Sequence, residues 1–217
     1  MFKRGLMAAS AAVLALAAGA AQAQSAFQPK AAGTWMINVR ATDVAPDNSH
    51  PILTAAGAAT GLNAHVDSDV MPTLGFTYFF TDNIAVEVIA GTTRHTIKAV
   101  GPGTDVVVRE QWVLPPVVSL QYHPLPAARF SPYVGGGVNY MFYYAGSNRN
   151  GFTTDLKNGV GWSVQGGVDY AINGPWSLNV DVKKVFHKTN AVINGGALTS
   201  HVGLDPWVIS AGFGRKF

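Results

Sequence analysis

The chain has 217 residues, with 15 Lys and Arg against 12 Asp and Glu and no cysteine, the size of one domain. Charged residues make up only 12%, about half the share usual in soluble domains, and the lack of cysteine excludes a disulfide framework. Beyond the first two dozen residues no run is apolar for the ~20 residues that a membrane helix needs, which excludes an α-helical bundle spanning a bilayer.

The chain opens with Lys3 and Arg4, an apolar Ala/Leu/Val run from Leu6 to about Gly19, and Ala21-Gln22-Ala23 before Gln24. That order predicts a secretory signal peptide over residues 1–23, cleaved after Ala23. The run is short and Ala-rich for a retained anchor. With Lys3 and Arg4 set aside, the 15 basic residues fall to 13 against 12 acidic ones. Lys183-Lys184 and Arg215-Lys216 are the longest basic runs, so no nucleic-acid partner is expected.

Residues 24–217 read as strand-length segments of alternating polarity. Trp35, Ile37, Val39 and Ala41 share one face, with Asn38, Arg40 and Thr42 opposite. Leu74, Phe76, Tyr78 and Phe80 oppose Thr73, Gly75 and Thr77, and Ile84, Val86, Val88 and Ala90 oppose Ala85, Glu87 and Gly91. Leu114, Val118, Leu120 and Tyr122 oppose Ser119, Gln121 and His123. Val134, Val138, Tyr140 and Phe142 oppose Gly135, Gly137 and Asn139. Val160, Trp162, Val164, Val168 and Tyr170 oppose Ser163, Gln165 and Asp169. Trp176, Leu178, Val180 and Val182 oppose Ser177, Asn179, Asp181 and Lys183. The last segment aligns Trp207, Ile209, Ala211, Phe213 and Phe217.

Alternation alone serves a soluble sandwich as well as a membrane barrel. Three features favour the barrel. Connections at 81–83, 124–131 and 173–175 are short, whereas those near 44–66, 97–109, 145–158 and 189–203 are long and rich in Gly, Asn, Thr and Ala. Aromatics (Trp35, Tyr78, Phe80, Tyr122, Tyr170, Trp176) sit at strand ends on the apolar faces, as an interfacial girdle requires. The chain ends in an apolar-alternating strand on Phe217, which looks like the assembly signal read by the outer-membrane machinery. The expectation is an all-β fold: an eight-stranded antiparallel transmembrane β-barrel with short periplasmic turns and long extracellular loops. It places the chain in the outer membrane of a Gram-negative bacterium, with outer-membrane lipids, lipopolysaccharide and the assembly machinery as partners.

Several phrases go beyond this pattern. They are Gly33-Thr34-Trp35 with Val39-Arg40, the run from Thr77 to Glu87, Leu114-Pro115-Pro116 with Gln121-Tyr122-His123, the run from Pro132 to Tyr140, Gly167-Val168-Asp169-Tyr170, and Asp205-Pro206. In this order they resemble the OmpW family over nearly all of residues 24–217. The resemblance implies a narrow eight-stranded barrel proposed to pass small hydrophobic molecules across the outer membrane, with the alkane-uptake protein AlkL among its relatives.

Sorted by height above the short turns, the inward register gives two zones. Arg40, Glu87, Gln121, His123, Gln165, Asp169, Asp181 and Lys183 form a polar floor. It reads either as a salt-bridged plug, because an unpaired buried charge is costly, or as a polar conduit. Above it lie Met71, Ile89, Val113, Pro115, Met141, Tyr143, Val185 and Val208. These either pack the interior or line a tunnel for a hydrophobic solute, and the resemblance favours the tunnel. Pro72, Pro115, Pro116 and Pro206 lack a backbone donor, so the ladder breaks or ends there. The expectation at Pro72, Pro115 and Pro116 is a lateral gap in the wall; the alternative is that these prolines only mark where strands leave the membrane.

No G-x-S-x-G, H-E-x-x-H or P-loop spacing occurs, and neither catalysis, a metal nor a cofactor is expected. His50, His65, His95, His187 and His201 lack the short paired spacing of a metal site and read as exposed polar residues. The functional expectation is a channel for passive uptake of small hydrophobic molecules. The alternative is a non-conducting structural, adhesion or receptor barrel that acts through its extracellular loops.

Overall fold

The computed structural model describes residues 27–47, 50–203 and 205–217; the predicted signal peptide lies outside them. The strands in chain order are β1 (Trp35–Ala45), β2 (His50–Thr54), β3 (Ala59–Val66), β4 (Asp69–Phe79), β5 (Ile84–Ala90), β6 (Thr93–Gly101), β7 (Thr104–Leu114) and β8 (Val117–Tyr122). They continue with β9 (Phe130–Asn148), β10 (Thr154–Leu156), β11 (Gly159–Ala171), β12 (Trp176–Phe186), β13 (Lys188–Ile193), β14 (Leu198–Gly203) and β15 (Trp207–Lys216).

Eight of them close a barrel in the order β9-β11-β12-β15-β1-β4-β5-β8, and β8 returns to β9 from Val117↔Asn139 to Tyr122↔Val134. Every pairing is antiparallel, as expected for strands joined by short turns. The β11–β12 turn places Gly174 at φ +53°, a conformation glycine adopts without steric penalty. The seam between the chain's two ends closes on backbone bonds. Phe217 N–H donates to the Trp35 carbonyl at 2.8 Å, and Trp35 N–H donates to that of Phe217 at 3.2 Å.

The polarity is inverted relative to a soluble domain. Leu120, Val160 and Phe213 are 59%, 72% and 57% exposed on the outer wall, while Glu87 and Lys183 are 0% and 1% exposed inside. So continuous an apolar exterior is stable against lipid. Aromatic pairs mark its rims. Trp35 lies 4.6 Å from Tyr78 at the turn end, and Trp162 stacks on Phe186 at 4.0 Å at the other end. Trp176 and Phe186, at the two ends of β12, are thus ~33 Å apart along the strand. A tilt of about 40° makes that ~25 Å along the barrel axis, the height of a typical apolar band.

The long connections are not structureless. They fold into a second sheet in the order β10-β13-β14-β2-β3-β6-β7-β9, built on the extracellular half of the 19-residue β9. Ile52, Ala64, Ala99 and Val108 are buried together in it, with Leu62, Phe152 and Leu198 packed against them. That core comes from four separate segments and uses small residues, so it leaves little periodicity in any one of them.

The barrel ladder is interrupted at one height. The β4–β5 pairing stops at Leu74↔Ala90, two residues short of Pro72, although β4 stays paired to β1 through Ala41↔Pro72. The β5–β8 pairing stops at Ile89↔Val117, and β6–β7 resumes only at Thr93↔Val113. Residues 90–92 and 114–116 face each other across this break, and Pro115 and Pro116 supply no N–H to close it.

Candidate functional site: a two-storey lumen

The lumen is built by the inward positions of the barrel strands, and its two storeys differ in chemistry. The upper one is a cavity with an empty volume of about 1210 Å³ including its mouth, running from Thr42 and Thr73 up to Ile52, Ile97 and Ile193 in the extracellular sheet. All eight residues expected in the upper lumen line it. Met71 and Ile89 come from β4 and β5, Val113 from the end of β7 and Pro115 from the ladder break itself. Met141, Tyr143, Val185 and Val208 complete the set, with Val113, Met141 and Val185 packed as one buried cluster. Ala90 and Gly91, at the interruption, also face the cavity. Gly91 sits so close to β4 that a Cβ there would lie 2.6 Å from Thr73 Cγ2 and 3.1 Å from Met71 Cε.

A hydroxyl layer forms the cavity's base: Thr42 Oγ1 lies 2.6 Å from Thr73 Oγ1 and donates to Ser210 Oγ at 3.0 Å. Below it all eight residues expected in the polar floor are buried and joined in one network. Arg40 donates to Glu87 Oε1 at 2.7 Å and to Asn179 Oδ1 at 2.5 Å. Gln165 donates to Glu87 Oε2 at 3.2 Å. Lys183 donates to Gln165 and lies 3.8 Å from Glu87 and 3.6 Å from Asp181. Gln121 Oε1 lies 3.1 Å from His123 Nε2.

Four members of this network, Tyr133, Asn179, Ser131 and Lys30, lie outside the expected floor set. Tyr133 donates to Asp181 at 2.9 Å and accepts from Asn179 at 3.1 Å; Asn179 also donates to Asp169 at 2.7 Å. Lys30 donates to Asp169 at 2.6 Å and to Ser131 at 2.9 Å, with its Nζ 2.9 Å from His123 Nδ1. Lys30 belongs to the segment before β1, which crosses the periplasmic mouth. Gln28 N–H donates to Gly174 O at 2.8 Å, Lys30 N–H to Pro126 O at 3.1 Å and Gly33 N–H to Phe79 O at 2.8 Å. Tyr133 and Asn179 share the inward register and were findable from it; Lys30 carries no such signal.

The floor therefore sets Lys30, Arg40 and Lys183 against Glu87, Asp169 and Asp181. Opposite charges in contact offset much of the desolvation cost of burying each. Room for them comes from inward glycines. A Cβ at Gly167 would lie 2.5 Å from the Tyr133 ring, and one at Gly75 would lie 3.1 Å from Arg40 Nη1. A small void of about 170 Å³ lies within the floor, bounded by Met36, Phe79, His123 and Tyr133 among others.

The histidines depart from the expectation of exposed polar residues. His95 and His187 are buried. His95 lines the cavity, with Nδ1 2.7 Å from the Asp67 carbonyl oxygen. It lies above the apolar band, and burial holds its pKa below the usual histidine value despite Asp69 and Asp67. His65 is half exposed beside Asp67 at 3.3 Å, and the side chain of His201 lies outside what the structure describes. Among the described residues no group of three His, Cys, Asp or Glu side chains could hold a metal ion.

A closed barrel with an apolar exterior between aromatic rims and a polar, packed interior defines a β-barrel protein of the Gram-negative outer membrane. Within that class the chain belongs to the OmpW family, whose model matches residues 31–217. It is 38% identical to the uncharacterized outer-membrane protein y4mB of Sinorhizobium fredii, over 93% of this chain and 91% of that one. The crystal structure of the outer membrane protein OprG from Pseudomonas aeruginosa superposes with a TM-score of 0.82 at 32% identity, covering 88% of this chain and 99% of that one. The solid-state NMR structure of the outer membrane protein AlkL in lipid bilayers gives 0.69 at 25% identity, covering 91% and 96%.

Proposed function

We propose that this barrel mediates passive uptake of small hydrophobic molecules. A solute enters from the extracellular side, lodges in the upper cavity above the charged floor, and leaves sideways into the outer membrane through the wall at Pro72, Gly91, Pro115 and Pro116. The observation carrying this reading is a coincidence of height: the apolar cavity ends on a filled polar floor where the ladder between β4, β5 and β8 is interrupted. A hydrophobic solute gains nothing by entering the ion-paired floor, whereas the adjacent lipid is as apolar as the cavity. Met71 at the interruption is an adaptable wall for solutes of varied shape. In this reading outer-leaflet lipopolysaccharide surrounds the extracellular rim, and Phe217 presents the last strand to the assembly machinery.

Uptake into proteoliposomes of a fluorescent aromatic hydrocarbon, compared with potassium ions and with sugars, tests the proposal. Uptake of the hydrocarbon above protein-free vesicles, with ions and sugars excluded, supports it. Equal exclusion of all three overturns it and favours the non-conducting structural or receptor role.

A further inference from the structure

Most polar atoms around the upper cavity already have partners. Thr42 and Thr73 bond each other, Lys183 is held by Gln165, and His95 lies against the Asp67 carbonyl. Gln111 donates to the carbonyls of Trp112 and Tyr144 at 2.9 and 2.7 Å. Asn139 differs. It lines the base of the cavity, is 3% exposed, and neither its Oδ1 nor its Nδ2 has a hydrogen-bond partner. Its backbone is fixed between Val117 of β8 and Gly161 of β11. The missing side chain of Gly161 makes room for its amide, since a Cβ there would lie 2.4 Å from Asn139 Oδ1. Higher in the same cavity the hydroxyls of Tyr143 and of Thr154, the latter 2% exposed, are likewise unpartnered.

A buried amide with both its donor and its acceptor unmade is costly, and the cost is relieved by whatever supplies the missing bonds. We infer that the solute of this cavity is a neutral amphiphile, an apolar body with one uncharged oxygenated head such as an alcohol, whose head docks on Asn139 while its tail lies along Met141, Val113 and Val185. The inference rests on the uptake reading above and narrows its substrate class. A hydroxyl donates and accepts at once, so it completes both Asn139 Oδ1 and Nδ2; a hydrocarbon leaves both unmade. Charged heads fit poorly. Lys183, a cation on the same cavity wall, is already set between Glu87 and Asp181, so an added carboxylate finds no free counter-ion there and an added ammonium is buried beside a like charge.

The test is retention of 1-decanol, decane, decanoate and decylammonium by proteoliposomes, each corrected for partition into protein-free vesicles, with wild-type protein and Asn139→Leu. The expected result is retention of 1-decanol over decane by about five-fold, the worth of one net hydrogen bond, with both ions below the alcohol. N139L is expected to bring the decanol-to-decane ratio close to one. Equal retention of decanol and decane by the wild-type protein overturns the inference while leaving hydrophobic uptake standing. A decanol preference unchanged in N139L overturns it too, as does stronger retention of either ion. Absence of retention for both decane and decanol overturns the uptake reading itself. Should N139L fail to fold, the wild-type decanol-to-decane ratio decides alone.

Discussion

Lys30→Met isolates the role of the segment that crosses the periplasmic mouth. Lys30 is 4% exposed and holds Asp169, itself buried, through a 2.6 Å ion pair, together with Ser131. Methionine keeps the length of the stem and removes the charge. Asp169 is then left with the 2.7 Å bond from Asn179 and no cation in contact. Removing one partner of a buried pair costs ~3–5 kcal/mol, and the surviving Asn179 bond places this case at the lower end, about 3 kcal/mol. Equilibrium unfolding in urea with the barrel in lipid vesicles measures the loss. The double variant Lys30→Met/Asp169→Asn removes both charges together and is expected to recover most of it, because a neutral amide in place of the carboxylate needs no counter-ion. A loss below about 1 kcal/mol in the single variant, or an equal loss in both, would refute the view that the floor is held by mutual charge pairing.

Three further expectations follow from other parts of the molecule. Val182→Arg, on the outer wall near the middle of β12, is expected to cost ~2–4 kcal/mol in vesicles, while a charge moved into an extracellular connection costs far less. Gly91→Phe drives a ring against Thr73 and Met71 at the ladder break; it should cut hydrocarbon uptake severely and overpack the wall by ~1–3 kcal/mol, and unchanged uptake would rule out the sideways exit. His95 is held neutral by burial, so its folded pKa lies below its unfolded value of about 6.5. The unfolded chain therefore binds the proton first as pH falls, and the stability contributed by neutral His95 is present above that value and is lost on acidification through and below it. An NMR titration of the His95 ring checks this, a midpoint at or above about 6.5 being the contrary result.

Much of the barrel is legible in the sequence because one rule, alternation against two different surroundings, writes it strand by strand. The outward series such as Trp176, Leu178, Val180 and Val182 and the inward series Ser177, Asn179, Asp181 and Lys183 take their sides in the structure as their period requires. The division of the lumen follows, since residues known to point inward can be sorted by height alone. Features that depend on chain segments without a period are not legible this way. Lys30 precedes the first strand, and only the folded mouth shows it meeting Asp169. The extracellular sheet is hidden for a related reason: its core joins Ile52, Ala64, Ala99 and Val108 across four strands, and bulges at Pro51/Leu53, Ile97/Lys98 and Glu110/Trp112 break the local alternation. His95 and His187 are buried by that sheet or beneath it, which their neighbours in sequence do not announce. Asn139 was readable as inward-facing, but its lack of partners is a property of the three-dimensional surroundings.

The charged floor also has a consequence for assembly. Arg40, Glu87, Gln121, Tyr133, Asp169 and Asp181 are delivered by six different strands, and most bonds in the network join different strands, among them Arg40 to Glu87 and Asn179, Gln165 to Glu87, and Tyr133 to Asp181. A strand that docks one residue out of step turns its whole inward series outward. For β1, β5, β11 or β12 that would send an arginine, glutamate, aspartate or lysine into hydrocarbon while orphaning its former partner inside. The correctly threaded barrel is thus separated from its nearest misthreaded rivals by a penalty at both ends of the same error. The floor ties strand register to charge pairing, and Lys30 completes it from outside the barrel strands by joining Asp169, Ser131 and His123 at one point.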